Sequence, residues 1–225
     1  MPEPLTRQLI PLAEDFFCDG HYYLLTSGSL GGSEFTAEKL SNALGQADEQ
    51  VVKNLLMRGI CIPLFFDGDC ALDGHTVVVL GDLSEQEEHV WIAKLSWKLA
   101  IPCGKFVIHC GGGDADELAY AIAGNPPEPN YRIFQIIDVP PGEYSVEIYA
   151  YLSSMTVQLS LEEYDNHWNL KENTVLKEWY QLHRPGLVGI GYIIQLTPLK
   201  TEPPFPEFVP EIGWLGKFEF RQAEL

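Results

Sequence analysis

Two stretches that lie 38 residues apart share one pattern, and this pattern constrains the fold more than any other feature of the chain. LAIPCGKFVI (99–108) and IDVPPGEYSV (137–146) each contain an apolar residue, Pro, any residue, Gly, a charged residue, an aromatic residue, any residue and an apolar residue. Proline presets one backbone dihedral of a turn and glycine supplies another. Each stretch therefore predicts a tight turn between two strands.

Other segments are also short, apolar or alternating, and bounded by turn residues, which is typical of strands. In WIAKLSWKLAI (91–101) the odd positions are apolar, while Lys94, Ser96 and Lys98 alternate with them, which favours a half-buried strand. A helix is the alternative, because Ser84 and Glu87 have the spacing of a capping box just before this stretch. Further strands are predicted within 20–26, 61–66, 75–82, 131–139, 143–152, 156–164, 191–199 and 213–220.

The number of predicted strands favours an α+β fold, mainly an antiparallel β-sandwich, in a single β-rich domain over residues 1–225. The alternative is an α/β unit over 75–123, which would require a helix at 91–101. Five prolines within 198–211 predict an extended, irregular strap that lies against the body of the domain and leads to the last strand.

A helical hairpin is predicted near the amino terminus, at about 34–59. Thr36 and Asp48 are suited to cap its two helices, and Gly45 and Gly59 are suited to end them. The stretch TAEKLSNALGQADEQVVKNLL (36–56) resembles a helix-turn-helix, which implies DNA binding. The second helix offers few basic side chains to DNA, so structural packing is the favoured role.

The charge of the chain excludes several classes of function. It has 32 acidic and 14 basic residues, a net charge of −18, and the excess is greatest within residues 61–160. Such a chain repels nucleic acid and anionic membranes and attracts cations or basic protein surfaces. The apolar runs are too short to span a membrane, and the amino terminus lacks the pattern of a secretory signal, so a cytoplasmic protein is expected.

The five cysteines form no Cys-x-x-Cys pair, and their number is odd. This arrangement predicts reduced, mostly buried thiols and not a disulfide framework. Cys70, His75, Cys103, His109 and Cys110 lie in one stretch, but their spacing matches no common zinc site.

Two acidic loops are the candidate cation sites. FFDGDCALDGH (65–75) offers Asp67, Asp69 and Asp73 between two predicted strands, with glycines that permit sharp bends. The calcium-loop pattern fails at Ala71 and Val78, where oxygen ligands are required, so a structural turn is the competing interpretation. The second loop, GGGDADE (111–117), offers Asp114 and Asp116. If strands 61–66 and 105–110 end on the same side, the two loops can share a calcium or magnesium ion, or a basic patch of a partner.

The predicted function is that of a non-catalytic interaction module, similar in physical terms to an inhibitor or adaptor, that binds a basic protein surface. No cofactor is expected, and no nucleophile or catalytic motif is evident, so an enzyme is the less favoured class. The alternative is a divalent-cation-binding protein or metal-dependent enzyme that uses the aspartate loop. The oligomeric state is left open. The predicted interaction surface comprises Glu85, Glu87, Glu88, Trp179, Tyr180 and Trp214.

Overall fold

The structure, a computed structural model, describes residues 5–32, 34–45, 49–73, 75–111, 114–129, 131–164 and 170–224. These residues form a mixed α/β fold in which most neighbouring strands are antiparallel. The elements in chain order are β1 (Gln8–Pro11), β2 (Tyr22–Ser27), α1 (Ala37–Gly45), α2 (Glu49–Met57), β3 (Cys61–Phe65), β4 (Thr76–Leu80), α3 (Glu85–Val90), β5 (Ala93–Ile101), β6 (Lys105–Cys110), α4 (Ala115–Ile122), β7 (Phe134–Asp138), β8 (Gly142–Ala150), α5 (Met155–Ser160), β9 (Glu162–Tyr164), β10 (Leu170–Glu172), α6 (Thr174–His183), β11 (Tyr192–Pro198) and β12 (Glu219–Phe220).

Two larger sheets organise the molecule. The six-stranded sheet has the order β1-β4-β11-β8-β5-β12, and only β4 and β11 run parallel in it. The four-stranded sheet has the order β3-β2-β6-β7 and is antiparallel throughout. Buried side chains of both sheets belong to one hydrophobic core. The mostly antiparallel pairing agrees with the prediction, but the two sheets do not form a clearly closed sandwich.

The ambiguous stretch 91–101 is a strand from Ala93 onward. Odd positions of β5 are buried and even positions are half-buried, as the alternation predicts. The Trp97 indole donates a hydrogen bond to the Leu56 carbonyl at 3.0 Å, which anchors β5 to α2. The capping box at Ser84 and Glu87 is also present, but its helix, α3, ends at Val90 because the backbone at Trp91 is extended.

The α/β alternative over 75–123 is therefore wrong. β4 and β5 are not neighbours, since β11 and β8 lie between them, and β6 belongs to the other sheet.

The two repeated turn sequences lie side by side and connect the two sheets. The first leads from β5 to β6 and the second from β7 to β8. Gly104 has a φ of +72°, and its carbonyl accepts a hydrogen bond from the Val139 amide at 3.0 Å. A Cβ atom at Gly104 would lie 2.9 Å from the Val139 carbonyl, so the contact between the turns requires glycine. The predicted turns are confirmed, and we call this pair of turns the double corner.

One predicted strand is wrong. The sequence predicts a strand over 156–164, but α5 occupies Met155–Ser160 and, of that range, only Glu162–Tyr164 form a strand. The Ser154 hydroxyl accepts a hydrogen bond from the Val157 amide and caps the helix. Val157 and Leu161 are buried and four residues apart, a spacing that places both on one side of a helix.

The two amino-terminal helices, α1 and α2, lie within the predicted range 34–59. The Thr36 hydroxyl accepts a hydrogen bond from the Lys39 amide at 3.2 Å, as a helix cap does. Asp48 and the turn at 46–48 lie outside the described residues, so the hairpin itself is not confirmed. Among the described helices, none is long and apolar enough to cross a membrane.

The proline-rich segment 198–211 is largely irregular and packs against the body at several points. The Phe205 ring meets Trp97 edge-on, with centroids 4.9 Å apart, and the Lys53 ammonium lies over the Phe205 ring. An ion pair of 2.9 Å joins Lys98 to Glu202. The final strand is shorter than predicted, because only Glu219 and Phe220 pair with β5.

Candidate functional site: the acidic end of the four-stranded sheet

The two acidic loops leave the four-stranded sheet at the same end. β3 and β6 flank β2 and both run antiparallel to it, so both end beside the first residues of β2. Tyr22 pairs with Phe65, and Tyr23 pairs with Cys110. The side-by-side arrangement on which a shared role of the loops depends is therefore present. We call residues 66–73, 111 and 114–117 the acidic end.

Two of the aspartates in the first loop have partners within the protein. The Asp69 carboxylate lies 3.2 Å from the His21 Nε2 atom, and the other ring nitrogen of His21 lies 2.8 Å from the Phe66 carbonyl. One carboxylate oxygen of Asp73 accepts a hydrogen bond from the His75 amide at 2.9 Å, an arrangement typical of a turn. Asp67 is exposed.

No coordination shell is assembled around these aspartates in the described part of the chain. There, no three His, Cys, Asp or Glu side chains are grouped so that they could hold a metal ion. The structure brings the predicted ligands Asp67, Asp69, Asp73, Asp114 and Asp116 to one end of a sheet without gathering them around a point.

A disulfide joins the segment before β2 to the end of β6, and this corrects the prediction of reduced cysteines. Cys18 and Cys110 are bonded, with their Cα atoms 5.3 Å apart. The Cys70 thiol donates a hydrogen bond to the Cys18 carbonyl at 2.8 Å, so Cys18 links both acidic loops. The two bonded cysteines are 92 residues apart, and the pairing of β2 with β6 brings them together.

The second loop leads into α4, and Asp114 caps this helix. One oxygen of its carboxylate accepts hydrogen bonds from the Asp116 amide at 2.9 Å and the Glu117 amide at 3.2 Å. Asp114, predicted as a cation ligand, thus has a structural role at the helix start. Asp116 is exposed and makes no ion pair with the described residues.

A pocket of about 310 Å³ lies beside α4, at the margin of the acidic end. Tyr120 and Tyr131 are 42% and 48% exposed, so much of their ring surface is open to a ligand. Phe134, which contacts Tyr120 edge-on, is buried beneath them. We call this the aromatic pocket, and it is lined by Asp116, Glu117, Tyr120, Glu128, Tyr131, Ile133 and Phe134.

The carboxylates of the aromatic pocket lack cationic partners among the described residues. Burial raises the pKa of the Glu117 carboxyl, and the negative charges of Asp114 and Glu128 raise it further. The basic residue nearest in sequence, Arg132, instead pairs with Asp15 at 2.7 Å. The pocket therefore concentrates negative charge that the described protein does not neutralise.

A buried histidine lies beneath the aromatic pocket. The His109 ring is fully buried and nearly parallel to the Phe134 ring, with centroids 6.4 Å apart. Neither of its nitrogens has a hydrogen-bond partner of good geometry among the described residues. Burial lowers its pKa to about 4, although the Asp114 charge and the Cys110 backbone act in the opposite direction. His109 is therefore neutral near pH 7.

The predicted interaction surface contains residues that lie in the interior. Glu87 is buried and accepts two hydrogen bonds from Arg7, at 2.7 and 2.8 Å. Tyr180 and Trp214 are each 3% exposed. These three side chains are not available to a partner, which corrects the prediction for them.

The other predicted surface residues have at least partial exposure. Glu85 and Glu88 are exposed on α3, and Trp179 is half-buried against His183 on α6.

The aromatic pocket, in contrast, is not predicted by the sequence. Its members come from α4, the segment after it and β7, and none belongs to a recognisable motif.

A larger cleft of about 800 Å³ lies between the six-stranded sheet and the proline-rich segment. The Glu147 carboxylate lines this cleft and has partners within the protein. One oxygen lies 3.0 Å from the Lys94 ammonium and accepts a hydrogen bond from Ser96, and the other accepts one from Tyr149. This cleft therefore presents no concentration of unpaired charge comparable to that of the aromatic pocket.

Comparisons with known proteins give little guidance. No protein-family model matches the chain, and no curated protein is significantly similar to it. A solved structure described as "Crocagin biosynthetic gene J" is similar, with a TM-score of 0.43 and 14% sequence identity. The similarity covers 86% of this chain and 99% of that chain. It carries no argument about function.

Proposed function

We propose that this protein is a non-catalytic interaction module that binds a basic protein surface through its acidic end. The observation that carries the proposal is the convergence of two acidic loops at one end of a sheet, next to carboxylates that have no cationic partner among the described residues. The net charge of −18 supports it, because a strongly negative protein attracts basic surfaces over long distances.

The arrangement supports two steps of recognition. The unpaired carboxylates would steer a basic partner toward this end and raise the rate of association. The half-exposed rings of Tyr120 and Tyr131 would then provide apolar contact area at short range. The Phe17 ring, whose centroid lies 6.3 Å from that of Tyr131, would add to this area. Exposed aromatic residues are typical anchors of protein interfaces.

The proposal is tested with two variants of equal net charge. The first neutralises four exposed acids of the acidic end and the aromatic pocket, with the substitutions Asp67→Asn, Asp69→Asn, Asp116→Asn and Glu128→Gln. The matched control neutralises four exposed acids elsewhere, with the substitutions Glu85→Gln, Glu178→Gln, Glu219→Gln and Glu224→Gln.

The probe is a fluorescent peptide of alternating Arg and Ser, and its binding is followed by anisotropy at increasing NaCl concentration. We expect the affinity of the wild type to fall at least about tenfold between roughly 50 and 500 mM NaCl. The first variant should lose most of the binding and the control should keep it. Equal loss in both variants would mean that only net charge matters, and would refute a role for this end.

A further inference from the structure

We infer that the aromatic pocket receives the guanidinium group of an arginine side chain from the partner protein. This inference rests on the proposed function, since it assigns one contact within the same interface. It follows from the lining of one small cavity, which combines two kinds of wall. One wall consists of aromatic rings, and the other consists of carboxylates that make no ion pair with the described residues.

The aromatic wall suits a planar cation. Tyr120 and Tyr131 line the pocket and are about half exposed, and the buried Phe134 also lines it. A cation near such rings is attracted by their negative faces, and a guanidinium plane can also stack on them. An anion would be repelled by the same faces.

The carboxylate wall suits a cation that also donates hydrogen bonds. Asp116, Glu117 and Glu128 line the pocket and make no ion pair with the described residues. A guanidinium offers five N–H donors in one plane, so it can meet carboxylates along its edge while its face rests on a ring. An incoming cation would also relieve the repulsion among Asp114, Glu117 and Glu128.

Other ligands match the two walls less completely than a guanidinium does. A divalent metal ion prefers a shell of oxygen ligands and gains little from tyrosine and phenylalanine faces. A quaternary ammonium group can rest on the rings but has no hydrogen to donate to the carboxylates. A lysine ammonium donates hydrogen bonds but lacks a planar face that stacks.

The test uses small probes, so that it does not depend on the rest of the interface. N-acetyl-arginine methylamide is titrated into the protein to roughly 20 mM, which covers millimolar dissociation constants. Binding is followed by the NMR signals of the tyrosine rings. The matched probes are the citrulline amide, which has nearly the same shape without the charge, and the lysine and trimethyllysine amides.

We expect saturable shifts of the Tyr120 and Tyr131 ring signals with the arginine probe and none with the citrulline probe. Tyr120→Leu and Glu128→Gln should each weaken the binding several-fold. Phe220→Leu and Glu219→Gln should leave it unchanged, because both replaced residues are exposed on β12, outside the pocket. Circular dichroism checks that each variant is folded.

Two results would overturn the inference. One is the absence of saturable binding of the arginine probe to the folded wild type, and the other is equal binding of the lysine or trimethyllysine probe. Separate results decide whether the proposed function is correct. If Tyr120→Leu keeps full affinity for the Arg-Ser peptide while the four-site acidic variant loses it, the function stands and the arginine pocket is wrong. If the arginine probe binds saturably but the four-site acidic variant and its control lose equal affinity for the Arg-Ser peptide, the pocket stands and the proposed function is wrong.

Discussion

Replacement of His109 by leucine should stabilise the protein and make its stability less dependent on pH. His109 is fully buried, its ring nitrogens have no hydrogen-bond partner of good geometry among the described residues, and it packs against Phe134. A buried polar group left without a partner costs about 1–3 kcal/mol, and leucine removes that cost while filling a similar volume. We therefore expect the free energy of unfolding at pH 8 to rise by about 1–2 kcal/mol in His109→Leu.

The effect of pH follows from the pKa of His109 in the two states. Burial lowers the pKa from 6.5 in the unfolded chain to about 4 in the folded protein. Between these values the unfolded chain binds more protons, so stability falls as the pH falls from above 6.5 toward 4. The loss from this one group amounts to about 2 kcal/mol between pH 8 and pH 5.

The assay is urea unfolding of the wild type and His109→Leu at both pH values. The difference in stability between the two proteins should widen by about 2 kcal/mol at pH 5, since the leucine variant has no proton to bind there. Glu117 has a raised pKa and acts with the opposite sign, but it is present in both proteins and cancels. His89→Leu controls for the loss of an exposed imidazole. A difference that stays constant from pH 8 to pH 5 would refute the reasoning.

Three further predictions concern the disulfide at the acidic end, the proline-rich segment and the aspartate loop. Reduction of the Cys18–Cys110 disulfide, which closes a loop of 92 residues, should lower the free energy of unfolding by about 2–4 kcal/mol, and a Cys18→Ala/Cys110→Ala variant should not respond to reductant. Phe205→Ala should cost about 1–2 kcal/mol in urea unfolding and speed proteolysis of the proline-rich segment, because it removes the ring contact with Trp97; unchanged proteolysis would contradict this. Millimolar calcium or magnesium should not raise the thermal midpoint, because Asp69 is paired with His21 and Asp73 with the His75 amide. A rise that is lost in Asp69→Ala would establish the alternative cation function.

Local patterns were informative where one face of a strand meets the core. The alternation in Ala93–Ile101 predicts a strand correctly, since burial of every second side chain is a property of that segment alone. The same reasoning fails at Met155–Ser160. Its apolar residues fit a strand, but Val157 and Leu161 also have the four-residue spacing of one helix face. The helix cap at Ser154 favours the helix.

The candidate site was predictable only in part, because its parts are brought together by strand order. The acidic character of both loops is evident from the sequence, but their position at one end of a sheet depends on β2 lying between β3 and β6. The disulfide depends on the same pairing. The aromatic pocket brings together Tyr120 of α4, Tyr131 of the segment after it and Phe134 of β7, and no residue spacing in the sequence indicates that grouping.

The double corner couples the registers of the two sheets. β5 pairs with β8 on one side of it, and β6 pairs with β7 on the other. The segments β5–β6 and β7–β8 therefore run side by side and bend together from one sheet into the other. If β5 slipped by one residue against β8, β6 would be displaced against β7, and inward and outward side chains would exchange in both sheets. The close approach of Gly104 to the Val139 carbonyl resists such a slip at the bend. A single misaligned pairing would thus disrupt the core on both sheets. It would also displace β6, which carries Cys110 and leads to α4 at the acidic end.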